Sequence, residues 1–360
     1  PLHPSSSSSS SQSQTDDDVL TLLTALQYNT TILSFQLMGT TICRRVATVL
    51  GRFLSHKHSN LIKFKLHSCT CLESGLAVLF LGLQHAKCID SLAIESTNLG
   101  GYASDMVAAS LPLLPLSSLQ LKSTNMSQTG FAFLLETMER CSHHNQNSAR
   151  LKTLDLSQHA NILPEMMTRF VQCLRQPKSS MNGLERLILE DCGLDKHSLK
   201  ILCQGLTSTM GTHSNTTSGS TTTTTSSSSG HTLLPALKHI SVSHNAAIND
   251  KCVTQYLQPL LKANTNIITL SVEGCPKIST AKRKQLSDML RYNNSFLKTM
   301  GFSTEFSLAI LESVDMIETM TKGGGGSSNT TNNATTNKGE GGGGGSSGTT
   351  GGGGSGSPSR

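Results

Sequence analysis

The stretch "LERLILEDCGL", residues 184–194, decides the fold of this chain. Its leucines and Cys192 are spaced 3, 2, 3 and 2 residues apart. A strand that is buried on one face alternates strictly in twos. This spacing instead predicts a short strand that turns a corner at Cys192 and continues to supply the same core. Such a unit cannot bury its apolar side chains alone, so it should recur along the sequence.

The same pattern returns eight times. Each copy has apolar residues at relative positions 1, 4, 6 and 11, with a small polar residue or cysteine near position 9. In the fifth, seventh and eighth copies, the last apolar position slips by one residue. A ninth, truncated copy is predicted at "LKTMGF", residues 297–302. The eight full copies occupy residues 32–42, 61–71, 89–99, 116–126, 151–161, 184–194, 237–247 and 267–277.

Helical patterns lie between the strand motifs. Residues 127–141, 163–176 and 195–206 each carry apolar residues at the i, i+3, i+4 and i+7 spacing of one helix face. Asp195 stands where it can cap the third of these helices. Pro259 falls within a further helical stretch, where it predicts a kink or an early stop.

A strand, a tight corner and a helix about every 28 residues resemble the leucine-rich repeat family, in particular its ribonuclease-inhibitor-like subclass. The resemblance covers about residues 16–303. It implies an α/β solenoid, a leucine-rich repeat horseshoe with a concave parallel β-sheet and convex helices. The corner residues are expected to bond buried backbone groups, and His159 is expected to distort its repeat. The corner residues are Thr40, Cys69, Thr97, Thr124, His159, Cys192, Asn245 and Cys275.

The repeat domain is predicted to occupy residues 15–320, with about eight repeats. Helices at 15–29 and 302–320 are expected to cap its two ends, because terminal units otherwise expose their core. A Ser/Thr-rich insert within 207–233 is expected to be disordered. Residues 1–14 and 321–360 form Ser-rich and Gly/Ser-rich tails that lack the apolar area needed to fold.

Charge and cysteine content exclude several classes of function. The formal net charge of +6 is spread along the chain, and "KISTAKRK" (277–284) is interpreted as a solvated helix face, so no nucleic-acid partner is expected. The ten cysteines form no CxxC pair and no metal-ligand spacing. They predict small buried side chains in a reducing, intracellular compartment, the cytoplasm or the nucleus. No run of 18 apolar residues exists, so no membrane span is expected.

Motifs of catalysis are also missing from the sequence. It contains no GxSxG, no P-loop and no HExxH. We therefore expect no catalytic, cofactor-binding or metal-binding residues, and the chain is not expected to be an enzyme.

The candidate binding surface consists of strand residues that do not enter the core and project from the concave face. Early in the sheet they form a basic patch, and later an acidic patch that Arg186 interrupts. This mixed surface favours a protein partner over a phosphate backbone. No aromatic anchor stands at these positions. The candidates are Lys63, Lys65, His67, Glu95, Lys122, Asp155, Glu185, Glu190, Asp191 and Glu273.

Two functions remain open. The first is a monomeric, non-catalytic interaction module or scaffold that binds a protein partner through the concave face or a rim. The second is a regulator resembling the leucine-rich GTPase activators of Ran, with Asn98, Asn125, Arg44 and Arg45 on comparable strand-to-helix loops. Those activators carry an acidic segment after the solenoid, whereas the Gly/Ser-rich tail of this chain has the single acidic residue Glu340.

Overall fold

The computed structural model describes residues 10–56, 59–110, 114–140, 151–159, 162–175, 180–207 and 236–299. These residues alternate between short strands and helices in chain order. The predictions for residues 1–9, for most of the Ser/Thr-rich insert, for the cap at 302–320 and for the Gly/Ser-rich tail lie outside the described residues.

Eight strands form one parallel sheet, and each pairs with the strand of the next motif, so that the order in the sheet follows the chain. All eight predicted strands are thereby confirmed. Two further strands, β2 (Thr41–Ile42) and β4 (Thr70–Cys71), pair beside it. The strands of the main sheet are β1 (Ser34–Met38), β3 (Lys63–His67), β5 (Ser91–Glu95), β6 (Ser118–Lys122), β7 (Thr153–Asp155), β8 (Arg186–Ile188), β9 (His239–Ser241) and β10 (Thr269–Ser271).

Helices connect the strands, and the three helices predicted from periodicity are confirmed to within one or two residues at each end. Asp195 caps its helix as expected, because its Oδ1 accepts the backbone N–H of Ser198 at 2.7 Å. The helices are α1 (Ser10–Leu26), α2 (Arg44–Ser55), α3 (Glu73–Leu83), α4 (Gly100–Ser110), α5 (Gln128–Arg140), α6 (Pro164–Arg175), α7 (Lys196–Thr207), α8 (Asp250–Cys252), α9 (Gln258–Ala263) and α10 (Thr280–Thr299).

One continuous core lies between the sheet and the helices. The fourth residues of the motifs stand in register across the sheet, for example Leu119, Leu154 and Leu187, each fully buried. They pack with the apolar helix faces, to which Leu50 and Leu79 belong. Since each unit has one strand face and one helix stripe to bury, neighbouring units stabilise one another.

A ladder of side-chain hydrogen bonds crosses from five of the eight corners to a carbonyl of the preceding unit. The Cys69 thiol donates to the Leu37 carbonyl at 3.5 Å, and the Cys192 thiol donates to the Leu156 carbonyl at 3.1 Å. Asn245 Nδ2 donates in the same way to a carbonyl of the unit before it. The predicted role of the corner residues, to satisfy buried backbone groups, is confirmed at these positions.

His159 belongs to this ladder, and the expected distortion of its repeat is wrong for the strand. Its Nε2 lies 2.6 Å from the Leu121 carbonyl oxygen, so the longer imidazole reaches the acceptor that a corner cysteine reaches in other units. Strand β7 therefore keeps its register, with Leu154 opposite Leu119 and Leu187.

The eighth residue of every motif adopts a left-handed backbone conformation, with φ between 48° and 63°. This conformation lets the chain leave the sheet at the corner, but it costs residues with a Cβ free energy that glycine avoids. Only two of the eight units place glycine here. The residues are Gly39, Ser68, Ser96, Ser123, Gln158, Asp191, His244 and Gly274.

Replacing Ser96 with glycine is therefore expected to raise the free energy of unfolding by about 0.5–1 kcal/mol. The reverse change, Gly274→Ala, is expected to lower it by about 1–3 kcal/mol, because a Cβ would also collide with the His244 ring. Urea unfolding of both variants measures the two effects. Equal shifts of the same sign would contradict the argument.

Two helices differ from their sequence-based predictions. Helix α1 begins at Ser10, five residues before the predicted start of the cap at Thr15. Pro259 does not end its helix, so the early stop, one of the two alternatives predicted there, is wrong. A π-helical turn, Val253–Leu257, joins α8 to α9, and the N–H of Gln258 bonds to the Val253 carbonyl. This wider turn places Pro259, which has no N–H, at the start of the next α-helical segment.

The prediction of a truncated ninth strand motif at residues 297–302 is wrong, because residues 297–299 continue α10. The segment 277–284, which includes the first residues of α10, was interpreted as a solvated helix face. Its Arg283 instead donates to the Val272 and Cys275 carbonyls at 2.8 and 2.6 Å. The side chain of Asn293 is buried and donates to the Leu261 and Ile267 carbonyls. Helix α10 therefore covers the last unit.

Candidate protein-binding face

The sheet carries a second face, opposite the core, which we call the polar face. It is formed by the third, fifth and seventh residues of the motifs. The fifth residues form one in-register row across all eight strands, as the repeat predicted. This row is Gln36, Lys65, Ala93, Gln120, Asp155, Ile188, Ser241 and Ser271.

The basic patch at the start of the sheet is partly compensated by Glu95. Lys65 Nζ lies 2.6 Å from Glu95 Oε2, and His67 Nδ1 lies 3.4 Å from the same oxygen. Register explains the cluster, because His67 and Glu95 stand opposite each other on neighbouring strands. Lys63 is exposed at the beginning of its strand. The structure thus brings Lys65, His67 and Glu95 together, whereas Lys63 has no ion pair among the described residues and keeps its positive charge.

The single acidic patch expected from the sequence is divided into two. Glu185 lies just before β8, where its carboxylate oxygens are 4.0 Å from Lys152 Nζ and 3.5 Å from Lys238 Nζ. Glu190 and Asp191 lie beyond the other end of the strand. The lysines that flank Glu185 therefore do not offset the charge of Glu190 and Asp191.

Glu190 and Asp191 place two adjacent carboxylates on this face, on which Asp155 and Glu273 stand singly. Within the described residues neither of the two adjacent carboxylates takes part in an ion pair, and Asp191 is exposed. Lys122, another sequence-predicted residue, contributes one ammonium group nearby. Together they line an open depression of ≈ 400 Å³, which we call the acidic depression. Its lining is Lys122, Ser157, Gln158, Glu190, Asp191 and His244.

Serine hydroxyls hold the acidic side chains in place. Ser241 Oγ donates to Glu190 Oε1 at 2.6 Å, and Ser157 Oγ donates to Asp155 Oδ1 at 2.6 Å. The backbone N–H of Glu273 donates to Ser243 Oγ at 3.1 Å, which ties Glu273 to the neighbouring unit. The motif columns contained these serines, but sequence reasoning assigned them no role because serine also occurs on any solvated face.

A second opening adjoins the acidic depression, and sequence reasoning missed it. This cleft, of ≈ 220 Å³, lies between the loop before α5 and the start of α6, and we call it the apolar cleft. Gln158 lines both openings. The floor of the apolar cleft includes Met126, Phe131, Ile162 and Met166.

Two histidines near this region are held neutral by their surroundings. Burial lowers the pKa of His159, although the Leu121 carbonyl and Asp155 act in the opposite direction. Burial, together with Arg186 and Lys238, lowers the pKa of His239 to about 4. Both imidazoles make hydrogen bonds, His159 to Leu121 and His239 to Thr269.

We expect the free energy of unfolding to fall as the pH drops from about 6.5 towards 4. In this window the unfolded chain protonates His239 and the folded chain does not, so acid favours unfolding. Urea unfolding between pH 7.5 and 4.5 measures the slope, and His239→Gln should make it shallower. Burial raises the pKa of Asp195, but hydrogen bonds from Ser198 outweigh this and hold the pKa below 3.8. Protonation of Asp195 therefore changes the free energy of unfolding only below this pH window. An unchanged slope in the variant would contradict this assignment.

The corner cysteines do not present thiolates. Burial raises the pKa of Cys192 to about 12 and also raises the pKa of Cys69 and Cys275. These thiols therefore stay protonated at neutral pH and act as hydrogen-bond donors. Among the described residues, no three His, Cys, Asp or Glu side chains are grouped so as to hold a metal ion.

The loop residues of the GTPase-regulator hypothesis fall into two separate groups. Asn125 Nδ2 donates to Asn98 Oδ1 at 3.3 Å, and the latter also accepts the Gly100 N–H. Arg44 begins α2, and Arg45 Nη1 lies 3.9 Å from Asp17 Oδ1 of α1. The structure therefore pairs the two asparagines and directs one arginine towards the neighbouring helix.

Comparison with known proteins adds no family to these observations. No protein-family model matches the chain, and no curated protein shows significant similarity to it. In the part of the chain that the structure describes, none of the helices combines the length and apolarity needed to traverse a bilayer.

Proposed function

We propose that this chain is a non-catalytic protein-binding module of the leucine-rich repeat type. In this proposal the eight units form a curved solenoid, with the sheet on its concave side, and the polar face receives a protein partner. One observation carries the proposal: polar side chains stand in register across all eight strands.

The size of this face favours a macromolecule over a small ligand. Eight strands at about 4.8 Å spacing extend over roughly 34 Å. Strands and adjoining corners together reach the scale of a standard protein interface, about 800 Å² on each partner. The acidic depression is open and polar, and the apolar cleft of ≈ 220 Å³ is smaller than the enclosed apolar pockets that hold cofactors.

Fixed geometry also supports the proposal. The carboxylates of Asp155 and Glu190 are held by serine hydroxyls, and the backbone at the corners is set by the left-handed residues. A partner that binds such a face orders few side chains, which lowers the entropic cost of association.

The test compares matched substitutions on the two layers of the fold. Proteins captured from a lysate of the source cells with the full chain are purified, and their Kd values are measured by titration calorimetry. Lys63→Glu with Gln120→Arg alters the polar face, whereas Lys196→Glu with Gln172→Arg makes the same chemical changes on exposed helix positions.

We expect the polar-face pair to weaken a direct partner at least about tenfold, equivalent to about 1.4 kcal/mol. The helix pair should change the Kd by less than about twofold. If the helix pair weakens binding as much as the polar-face pair, or only the helix pair does, the proposed face is wrong. Unchanged thermal unfolding and circular dichroism show that each variant remains folded.

A further inference from the structure

The chemistry of the partner can be inferred from the two adjoining openings on units four to seven. The apolar cleft and the acidic depression share Gln158 and form one groove along the corners of the sheet. Resting on the proposed function, we infer that this groove binds an extended segment of a partner protein in which a large apolar side chain is followed, about two residues later, by arginine or lysine.

The apolar cleft matches one large side chain. Its volume of ≈ 220 Å³ lies below the range of about 300–1,000 Å³ that is usual for small-molecule sites. Met126 is partly buried, and Phe131, Ile162 and Met166 are buried beneath it. Met side chains adapt to the shape of an inserted group, so the cleft suits leucine or methionine more than a group of fixed shape.

The acidic depression supplies the complementary charge. Glu190 and Asp191 face one ammonium group, Lys122, and neither has an ion pair within the described residues. Of the other carboxylates of the predicted set, Glu95 and Glu185 already contact cations, and Asp155 and Glu273 do not line the depression. An incoming guanidinium would therefore meet unpaired carboxylates here, while a phosphate backbone would be repelled.

The spacing of the two features sets the spacing in the ligand. The apolar cleft lies between units four and five, and the two unpaired carboxylates belong to unit six. Neighbouring units are about 4.8 Å apart, and the cleft lies one and a half spacings from unit six, so the two features are separated by roughly 7 Å. An extended chain covers that distance in about two residues at about 3.3 Å each, and side chains two residues apart point to the same side of it.

The groove is also held in one conformation. Gln158, Asp191 and His244 are the left-handed eighth residues of three consecutive units. The backbone N–H of each donates to the strand that follows, for example from Asp191 to the Ser243 carbonyl at 3.0 Å. The backbone that carries these lining residues is therefore fixed by hydrogen bonds, which favours binding without rearrangement.

The experiment uses the full chain and a fluorescein-labelled peptide, Gly-Ser-Leu-Ser-Arg-Ser-Gly, with blocked ends, and binding is followed by fluorescence anisotropy. Two matched peptides replace the leucine by serine or the arginine by glutamate. We expect each replacement to weaken binding at least about tenfold. Equal affinity for the three peptides, or preference for the glutamate peptide, overturns the inference.

Substitutions in the protein locate the contact. Glu190→Gln with Asp191→Asn should weaken binding of the arginine peptide about tenfold, whereas the control Asp105→Asn with Glu139→Gln removes the same charge at exposed helix positions and should change the affinity less than twofold. Met126→Ser should weaken the leucine peptide about fivefold and leave the affinity of the serine peptide unchanged. If the control pair weakens binding equally, the attraction is a general charge effect and the inference is wrong.

This result is separable from the test of the proposed function. A partner that distinguishes the polar-face pair from the helix pair supports the protein-binding face even if no peptide binds the groove. In that case only the inference about the groove is contradicted. If the peptides bind as expected while partners ignore the polar-face pair, the groove stands and the wider face is wrong.

Discussion

Replacing Asn245 with alanine is expected to lower the free energy of unfolding by about 3–5 kcal/mol, the largest effect of any corner substitution. Its Oδ1 accepts the backbone N–H groups of Cys192 and Leu194 at 3.0 and 2.9 Å. Its Nδ2 donates to the Leu189 and Val242 carbonyls at 2.9 and 2.8 Å. The side chain is 1% exposed, so water cannot replace these bonds in the alanine variant. Urea unfolding at neutral pH measures the loss.

Two further variants make this prediction specific to the corner bonds. Asn245→Cys places a thiol where other units have one, which restores a donor but no acceptor for the two N–H groups, so about half of the loss should remain. Thr40→Ala removes one bond, from the Thr40 hydroxyl to the Met38 carbonyl, at a partly exposed corner, and should cost less than about 1 kcal/mol. Equal losses for Asn245→Ala and Thr40→Ala would contradict the role assigned to Asn245.

Gly82→Ala is expected to lower the free energy of unfolding by about 1–3 kcal/mol, although alanine is the better helix former. Helices α2 and α3 approach most closely where Gly82 faces Gly51. A Cβ on Gly82 would overlap Gly51 Cα and lie 2.9 Å from the Gly51 carbonyl oxygen. Because both obstacles are backbone atoms, the two helices must move apart. Thermal and urea unfolding report the change.

Gly51→Ala provides the matched control on the facing helix. A Cβ there would lie 3.5 Å from Gly82 Cα and 3.5 Å from the Val78 carbonyl oxygen, which is ordinary van der Waals contact. Helix propensity then decides, and stability should rise by about 0.5–1 kcal/mol. Loss of stability in both variants to the same extent would show that helix contact is not the deciding factor.

The sheet could be predicted from the sequence because each motif places its strand at the same position in the repeat, which also sets the strand register. Leu187, Leu154 and Leu119 occupy the same place in their motifs, so aligning the motifs also aligns the strands. The corner role of Cys192 and Asn245 followed from their shared position near a buried turn. In each case one local pattern determined both the element and its neighbour.

The errors arose where two local patterns coincide or where tertiary contacts decide. Leu297 and Met300 fit the start of a strand motif, but α10 continues through residue 299. His159 was expected to disturb its unit because of its size, yet its ring nitrogen reaches the acceptor that a thiol would use. The spacing of residues in the sequence does not show which acceptor a side chain can contact.

The candidate site was predictable only in part, for similar reasons. Positions such as Lys122 and Glu190 followed from the repeat. The compensation of Lys65 by Glu95 depends on side-chain conformations between adjacent strands. The apolar cleft depends on the path of the loop at Asn125, where a second left-handed residue, with φ of 49°, redirects the chain before α5.

The corner ladder has a consequence for how such a chain can grow during evolution. Five of the eight corners bond backwards to a carbonyl of the unit before, and that carbonyl belongs each time to the sixth residue of its motif. Duplication or deletion of a whole unit therefore leaves each remaining donor with an acceptor. A partial unit would break the ladder unless the extra residues enter between a helix and the next strand. The longest gap between strand motifs, from 184 to 237, places its additional residues in that position, after α7 and before β9.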